Sequence, residues 1–365
     1  MTVDARVERL RSLAREAGLD AVVATNDASI AYFTGFHGMQ LERLFAVVAT
    51  IDGGGAIVAP SLDGEAVQAA ATGLTRAVYP PSSNGLPELL AALGGARRVG
   101  VEESHLIHAR ARALVDDGRE LAFADALVMG LRARKDAAEV AAIERACRVV
   151  TDAMEDMFAQ LRPGDVEREV NARIDFRLRA QGAMDTHALI LFGPNGAKPH
   201  SAPGDRALAA GDVVVADVSA CIDGYWGDLT RCATVGPHSD WARAAWDVVR
   251  DAQAAAIEAS RVGASAGDVD AAQRAVVEAH PELGACLHGA GHAIGGEVHE
   301  PPFLVPGADA PLAEGMVFTI EPGIYQPGTG GIRLEDDVLV TADGPRTLSA
   351  LPLELREVPV DGRNP

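Results

Sequence analysis

Four acidic residues occupy symmetrical positions about two predicted turns. Asp217 and Asp228 flank the turn signal "IDG", and Glu321 and Glu335 lie at equal distances from Gly328. If each stretch folds as an antiparallel hairpin, its two acids lie opposite one another, or one diagonal apart, on one face. Like charges placed opposite one another on paired strands are destabilising. Two such pairs therefore predict a compensating cation.

Apolar flanks predict that Asp217 and Glu321 are buried, because "VVVADVSA" and "MVFTIEPG" are apolar on both sides of the acid. A single acidic pair on a strand is more often a solvated face, but a buried carboxylate stays ionised only when it is paired or binds metal. Oxygen-rich sites with a histidine suit manganese, cobalt or iron, with zinc as an alternative, and four carboxylates suit two divalent ions. The chain lacks the D-x-D-x-D-G pattern of a calcium loop.

Three histidines lie in the glycine-rich stretch "HGAGHAIGGEVHE", at His288, His292 and His299. The spacing is not that of the H-E-x-x-H zinc helix, and the glycines weaken any helix. If these imidazoles bind a metal, their partner ligands must come from elsewhere in the chain. The four acids are the natural partners.

The elements that must position these residues occur twice. A long helix over about 136–161 precedes "RPGDVEREV", where Asp165 is a candidate cap for a second helix, and another helix from about Asp240 precedes "VGASAGDVDAAQ". Each helix pair is followed by a glycine-rich stretch with histidines and then by a predicted hairpin. Two halves of matching order predict a pseudo-twofold domain, whose site receives one hairpin from each half.

The first third alternates short β-branched runs with amphipathic helices, which predicts an α/β domain. The strand candidates are "DAVVAT", "RLFAVVATI", "GGAIVAP", "RAVYP" and "RRVGVEES", and helical patterns cover 3–17, about 63–72, 84–93 and 105–116. We predict domains at 1–130 and 131–365.

Composition limits the function. The net charge of −20 argues against nucleic acid or an anionic membrane as partner. The first residues form a charged amphipathic pattern rather than a signal peptide, and no run is long enough to cross a membrane. Four scattered cysteines without a C-x-x-C pair are typical of reduced thiols. We expect a cytoplasmic protein.

Five motifs in order carry a family resemblance: "GPNGAKPH", "DVSACIDGYWGDLTR", "GHAIGGEVHE", "TIEPGIY" and "GIRLEDDVLV". The chain resembles the pita-bread metallopeptidases, and within them the proline-specific branch of prolidase and aminopeptidase P. "SIAYFTGF" and "LRARKDAAEVAAIERA" resemble the creatinase-like amino domain and interdomain helix of that family. The fold class implied is α/β (α+β), a creatinase-like amino domain followed by a pita-bread catalytic domain.

The resemblance implies a role for each site residue. The implied metal ligands are Asp217, Asp228, His292, Glu321 and Glu335. The implied catalytic residues are His299, His200, Glu321 and Arg333, and the implied substrate-binding residues are His200, His288, His299, Tyr225 and Arg333. Two divalent ions, manganese above cobalt or zinc, would supply a bridging hydroxide that attacks the carbonyl before proline, while His299 polarises it and Glu321 relays a proton. Tyr225 is expected to bond a metal ligand.

Several positions depart from the family pattern. Ala293, Gly296, Ser219 and Phe192 replace common family residues without removing a ligand. Some prolidases carry an arginine at the position of Phe303 to hold a dipeptide carboxylate, so Phe303 keeps an aminopeptidase P acting on Xaa-Pro-Yaa peptides as the alternative. Arg43 is another candidate for the carboxylate contact.

The expected function is hydrolysis of small proline-containing peptides by an Xaa-Pro dipeptidase, with a homodimer implied by the resemblance. A hydrolase of small non-peptide amides or guanidines on the same fold is a second alternative, and a catalytically silent binding module is a third. Both alternatives are disfavoured because such hydrolases and binding modules lose metal-binding acids, whereas this chain retains all four.

Overall fold

The computed structural model of the chain describes residues 1–70 and 72–360. In this part of the chain the helices are α1 (Val3–Glu16), α2 (Asp27–Thr34), α3 (Gly64–Gln68), α4 (Leu86–Leu93), α5 (His108–Asp116), α6 (Asp125–Ala133), α7 (Ala137–Gln160), α8 (Glu167–Ala180), α9 (Asp240–Ala259) and α10 (Ala266–Val277). The strands are β1 (Ala21–Ala24), β2 (Ala46–Thr50), β3 (Gly55–Pro60), β4 (Thr75–Tyr79), β5 (Arg98–Val101), β6 (Glu120–Phe123), β7 (Asp185–Phe192), β8 (Val213–Ile222), β9 (Tyr225–Val235), β10 (Gly291–Ala293), β11 (Glu300–Leu304), β12 (Val317–Ile320), β13 (Gly323–Gln326), β14 (Gly330–Arg333), β15 (Asp336–Thr341), β16 (Gly344–Thr347) and β17 (Arg356–Val358).

The chain divides into two units, one comprising Met1–Arg132 and the other beginning at Ala133. Among the residues that the structure describes, no helix combines the length and apolar character needed to cross a bilayer.

A six-stranded sheet in the order β4-β3-β2-β1-β5-β6 forms the centre of the amino-terminal unit. All pairings are parallel except those of β2, which runs antiparallel to β1 and β3. β1 and β2 are buried at every residue. They are therefore continuous runs of Ala and Val rather than alternating patterns. Helices α1, α2, α3 and α6 pack on one face and α4 and α5 on the other.

The predicted strands and most predicted helices of this unit are confirmed, with three omissions. Helix α2, helix α6 and strand β6 were not predicted. The start of α2 carries a recognisable signal, because the Asn26 side chain accepts the backbone N–H of Ala28 at 2.8 Å and caps the helix. The predicted helix over about 63–72 is shorter, since α3 ends at Gln68.

The carboxy-terminal unit confirms the predicted repeat. Helices α7 and α8 precede β7 and the hairpin β8–β9, while α9 and α10 precede β10 and the hairpin strands β12 to β15. The first half forms a sheet in the order β17-β9-β8-β7, and the second forms β11-β10-β12-β15-β16 with the separate pair β13-β14. The strand β7 lies where only a histidine-containing loop was predicted.

The first hairpin is a continuous ladder closed by Asp223 and Gly224. Both have positive φ, 52° and 80°, as a two-residue type I′ turn requires. The register pairs Asp217 with Thr230 and Ser219 with Asp228. The two aspartates are thus one diagonal apart on one face, which confirms one of the two predicted arrangements.

The second hairpin keeps one register across an interruption. β12 pairs with β15 through Ile320 and Asp336, and β13 pairs with β14 through Gly323 and Arg333. Both segments are symmetrical about Gly328, so Glu321 and Glu335 lie across from one another between them. The predicted opposition of the two glutamates is confirmed.

The helix caps differ between the halves. Ser265 caps α10 in a capping box with Asp268. The predicted cap by Asp165 is wrong, because Val166 is the N-cap residue of α8 and makes no side-chain cap bond. Asp165 instead accepts the backbone N–H of Arg162 at 2.8 Å, which stabilises the turn before the helix.

Candidate metal centre

Three buried residues from distant parts of the chain converge in the carboxy-terminal unit. Ligand atoms of Asp228 on β9, His292 on β10 and Glu335 before β15 all lie within 4.8 Å of one another. One imidazole nitrogen and two carboxylates at this separation have the composition and spacing of a divalent metal site.

The two hairpins are joined directly at this cluster. The backbone N–H of Glu335 donates to the carbonyl of Thr230 at 3.2 Å, and the Thr230 hydroxyl donates to Glu335 Oε2 at 2.6 Å. Arg231 is fully buried and its Nη1 donates to the Glu335 carbonyl at 2.7 Å. These bonds fix the position of Glu335 relative to Asp228, which lies two residues before Thr230 on β9.

The electrostatics of the cluster favour a bound cation or, without one, bound protons. Burial, then repulsion from Asp217, raises the pKa of Asp228 well above its usual value. Burial, then repulsion from Asp228, does the same to the pKa of Glu335. In addition, Asp228 Oδ1 is buried and has no hydrogen-bond donor among the described residues. A divalent cation would satisfy that oxygen and lower both pKa values, so the residues fit the implied metal.

His292 is oriented for metal binding. Its Nδ1 lies 3.1 Å from the Ala293 carbonyl, which can only accept, so the proton is assigned to Nδ1. The backbone N–H of His292 donates to the Thr319 hydroxyl at 3.1 Å. Nε2 is then free of a proton and lies 3.5 Å from Glu321 Oε1. A carbonyl that fixes the tautomer in this way is typical of metal-ligating histidines.

Glu321 lies beside the cluster and differs from the other acids. Burial raises its pKa, but electrostatic interactions with His292, His288 and Arg333 outweigh burial and lower the pKa below the usual value. Its Oε1 also accepts the Thr319 hydroxyl at 3.1 Å. Glu321 is therefore held as a carboxylate, able to accept a proton.

The expectation that Asp217 and Glu321 are buried is wrong in degree. Their side chains are 23% and 18% exposed. Asp217 Oδ2 accepts a short hydrogen bond from Arg333. The two acids therefore lie at the margin of the cluster, with part of each side chain open to solvent.

Arg333 links both hairpins to the histidine stretch. Its Nε donates to the Thr230 hydroxyl at 3.2 Å and its Nη1 donates to the Tyr325 hydroxyl at 2.8 Å. His288 Nδ1 donates to the Gly289 carbonyl at 2.9 Å, and its Nε2 lies 2.7 Å from the Tyr325 oxygen. Burial lowers the pKa of His288, so the neutral ring accepts the Tyr325 proton. Tyr325 was missed as a site residue, although it lies in the quoted motif "TIEPGIY".

The two other predicted histidines border the same site. The His299 ring centre is 4.1 Å from that of His292, at 69°. Burial lowers the pKa of His299, and the repulsion that would arise if the His292 and His299 rings were both protonated lowers it further, so the His299 ring is kept neutral. His200 is exposed in the segment after β7, and it interacts electrostatically with both His288 and His299. The structure therefore brings all four predicted histidines to one region.

Tyr225 has a hydrogen-bond partner on helix α7. It begins β9 next to the hairpin turn, and its hydroxyl donates to Glu139 Oε1 at 2.9 Å. Glu139 is the capping-box residue of α7. A hydroxyl carries one proton, so donation to a metal ligand would require this bond to break.

Family comparison identifies the two parts of the chain. Residues 141–342 match metallopeptidase family M24, and residues 6–134 match the creatinase/prolidase N-terminal domain. The chain belongs to metallopeptidase family M24. It is therefore a hydrolase of a divalent-metal family, and the predicted creatinase-like and pita-bread fold is confirmed.

The similarity of this M24 peptidase to known proteins covers nearly the whole chain. It is 33% identical to the putative dipeptidase YkvY of Bacillus subtilis, over 96% of this chain and 99% of that protein. The solved structure of an Xaa-Pro dipeptidase from Bacillus anthracis superposes with a TM-score of 0.89 at 29% identity, over 98% of this chain and 100% of that one. An X-Pro aminopeptidase from Thermotoga maritima superposes with a TM-score of 0.87 at 28% identity, over 96% and 99% of the two chains.

A buried ion pair stabilises the segment that carries His299, and no local sequence pattern predicted it. Lys135 Nζ contacts Glu300 Oε2 at 3.0 Å, with both side chains 1% exposed, and Glu300 Oε1 accepts the Glu297 N–H at 3.2 Å. This ion pair holds the residue directly after His299. Its partners lie 165 residues apart, so the pairing arises only from the fold.

Asp337 supports the first hairpin from behind. Its Oδ2 accepts the backbone N–H of Asp228 and the Cys147 thiol, both at 3.1 Å. Burial raises the pKa of Asp337 to about 7. The acid thus ties helix α7 and β15 to the strand that carries Asp228.

Proposed function

We propose that this M24 peptidase is an Xaa-Pro dipeptidase that hydrolyses the peptide bond before proline in small peptides. The convergence of Asp228, His292 and Glu335, with an unpaired buried carboxylate oxygen, carries the proposal. The naming of a similar protein as an Xaa-Pro dipeptidase supports the substrate class. We assign the chemistry to the domain predicted over 131–365.

We propose that two divalent ions, preferably manganese with cobalt or zinc as alternatives, bind the five predicted ligands. Asp228, His292 and Glu335 form the inner group, and Asp217 and Glu321 flank it. When bound, such ions lower the pKa of water so that a nucleophile forms near neutral pH. Carboxylate oxygens with one imidazole suit these ions.

Glu321 and His299 would act on the substrate itself. Glu321, whose pKa is lowered, accepts the proton of the attacking water and returns it to the leaving amine. Neutral His299 donates a hydrogen bond to the carbonyl oxygen, on which negative charge develops. His200 and His288 line the substrate side, and Arg333 holds Asp217 and Tyr325 in place.

Phe303 favours a second candidate, an aminopeptidase acting on Xaa-Pro-Yaa peptides. Phe303 pairs with His292 across β10 and β11 and is 47% exposed. It offers no charge to a dipeptide carboxylate, whereas a longer peptide needs none at that position. A similar structure named X-Pro aminopeptidase supports this candidate.

The deciding experiment compares Xaa-Pro dipeptides, Xaa-Pro-Yaa tripeptides and matched Xaa-Ala peptides with protein of measured metal content. We expect metal-dependent cleavage of the dipeptides above the tripeptides, and none of the Xaa-Ala controls. Preference for the tripeptides establishes the aminopeptidase instead. Failure on all proline peptides with metal bound refutes both.

We also propose a homodimer, as the family resemblance implies. Light scattering coupled to size exclusion should give twice the mass of the 38.0 kDa chain. A monomeric mass at all loading concentrations would refute it.

A further inference from the structure

The amino-terminal unit contains a cavity of its own. Its volume is about 660 Å³, within the range of small-molecule sites. All of its lining residues lie between Glu42 and Ala113. The apolar part of the wall includes Leu44, Leu62 and Ile107.

The cavity lies at the edge of the sheet where open α/β folds bind ligands. Its lining includes Pro60 and Tyr79, the last residues of the parallel strands β3 and β4. It also includes Ile107, in the connection that follows β5, which runs in the same direction. Crevices outside the carboxyl ends of such strands are the usual ligand sites of this architecture.

Two arginines give the cavity a positive charge. Arg110 is on α5, and its Nη2 donates to the Glu42 carbonyl at 3.1 Å. No carboxylate among the described residues lies within ion-pair distance of its guanidinium, and burial lowers its pKa. Arg43 contacts only the exposed side chain of Glu42, at 3.4 Å, in the ion pairs of the described residues. A partly buried arginine without a carboxylate is costly unless an anion pairs with it.

The two arginines share the cavity with an aromatic ring, since Tyr79, Arg43 and Arg110 all line it. Burial raises the pKa of Tyr79, and the charges of Arg110 and Arg43 oppose that rise. The Tyr79 oxygen is already bonded to the backbone N–H and carbonyl of Leu44, at 3.0 and 3.1 Å. Glu42 also lines the cavity, and its carboxylate pairs with Arg43. The guanidinium of Arg110, which has no carboxylate partner among the described residues, is therefore the main charge available to an anionic ligand, with Arg43 beside it.

We propose that this cavity is a second binding site, for a small organic anion with an aromatic or aliphatic body and one acidic group. The apolar body packs between Leu62 and Ile107, and the acidic group pairs with Arg110 and Arg43. Arginine suits both planar carboxylates and phosphates, so the acidic group is of either type.

The test uses the full-length protein and the fluorescent aromatic anion 8-anilinonaphthalene-1-sulfonate. We expect saturable binding that weakens by at least about 10-fold in Arg110→Gln, the loss of one charge-assisted pair. The matched control is Arg112→Gln on the same helix, because Arg112 is 74% exposed and outside the cavity. Arg43→Gln gives a second charge variant if Arg110→Gln lowers the melting temperature. Ala113→Phe fills the cavity without changing its charge and should also abolish binding.

Competition distinguishes the ligand chemistry. 3-Phenylpropionate and phenyl phosphate should displace the probe, and whichever does so at lower concentration identifies the preferred acidic group. The neutral 3-phenylpropanamide should not displace it. Absence of saturable binding, equal affinity of the charge variants and Arg112→Gln, or equal displacement by the amide would overturn the proposal. Binding unaffected by Ala113→Phe would place the probe elsewhere and overturn it as well.

Discussion

The two hairpins that carry the acids hold them in different ways. The first is one uninterrupted ladder from Val213 to Val235, and its acids are aspartates. The second ladder stops after Ile320 and resumes at Gly323, and its acids are glutamates located at the break. Pro322 has no N–H, so a regular ladder cannot continue through it.

The backbone groups of the two glutamates join the halves. In the register of the second hairpin, the backbone N–H groups of Glu321 and Glu335 point away from the partner strand, since the neighbouring pair of Pro322 and Leu334 carries the ladder bond. The N–H of Glu335 donates to Thr230 on the first hairpin, and that of Glu321 donates to Ala290 beside the histidine strand. The continuous hairpin thus supplies a rigid face, and the outward N–H groups of the second hairpin supply the contacts that bring its glutamates to that face.

Removing one acid from each hairpin should have the largest effect on activity. Asp228→Ala and Glu335→Ala should each reduce metal-dependent turnover of an Xaa-Pro dipeptide by more than about 100-fold, above the loss typical of an outer residue. Bound metal, measured by mass spectrometry, should fall in both. Asp343→Ala, an exposed acid after β15, is the control and should retain activity. If either hairpin variant keeps full turnover, that hairpin does not supply a ligand.

Exchanging side-chain lengths tests the geometry with the charge kept. Asp228→Glu lengthens the acid on the continuous ladder, and Glu335→Asp shortens the acid at the break. Both should lower turnover by roughly 10- to 100-fold, because the oxygens no longer meet at one point. Manganese titration should show weaker binding in each. Unchanged metal affinity in both would mean that the backbone positions are less constrained than the register indicates.

Breaking the Lys135–Glu300 pair tests the support of the second half. Lys135→Met removes the cationic partner of a buried carboxylate and should destabilise the fold by about 3–5 kcal/mol. It should also lower kcat on the order of 10-fold with a smaller change in KM, because His299 is displaced from the developing charge. Adding Glu300→Leu should restore the melting temperature without restoring kcat. Recovery of both together would show that the pair is only structural.

Local features of the hairpins were predictable from the sequence. The Asp223-Gly224 turn and the position of Gly328 set each register, because a side-chain period of two leaves few alternatives. The pairing of the acids, the repeat order and the strands of the amino-terminal unit follow from such short-range patterns. The resemblance added the histidines, which no local rule assigns to a metal.

Contacts between distant elements were not predictable. The Arg333–Asp217 and Lys135–Glu300 pairs join residues more than a hundred positions apart, and neither has a local pattern. The exposure of Asp217 was also wrongly predicted, because apolar neighbours in the sequence indicate that the strand is buried but do not determine whether each of its side chains is fully covered. The contacts of Tyr325 were not predictable either, because its bonds to Arg333 and His288 depend on how three elements pack.

The smallest effect should appear in the pH dependence of stability without metal. In the folded protein the pKa values of Asp228 and Glu335 are raised, so the folded state binds more protons than the unfolded state. Chelated protein should therefore lose stability as the pH rises from about 5 to 8, and saturating manganese should remove the decline by replacing the protons. Glu321 has a lowered pKa, so the stability it contributes is lost only in more acidic solution. Thermal denaturation across this range gives the slope, and Glu335→Gln should make it shallower because one of the two raised groups is gone. If the chelated protein gains stability as the pH rises, the pKa values of Asp228 and Glu335 are not raised in the folded state, and the two acids do not repel one another in a buried cluster.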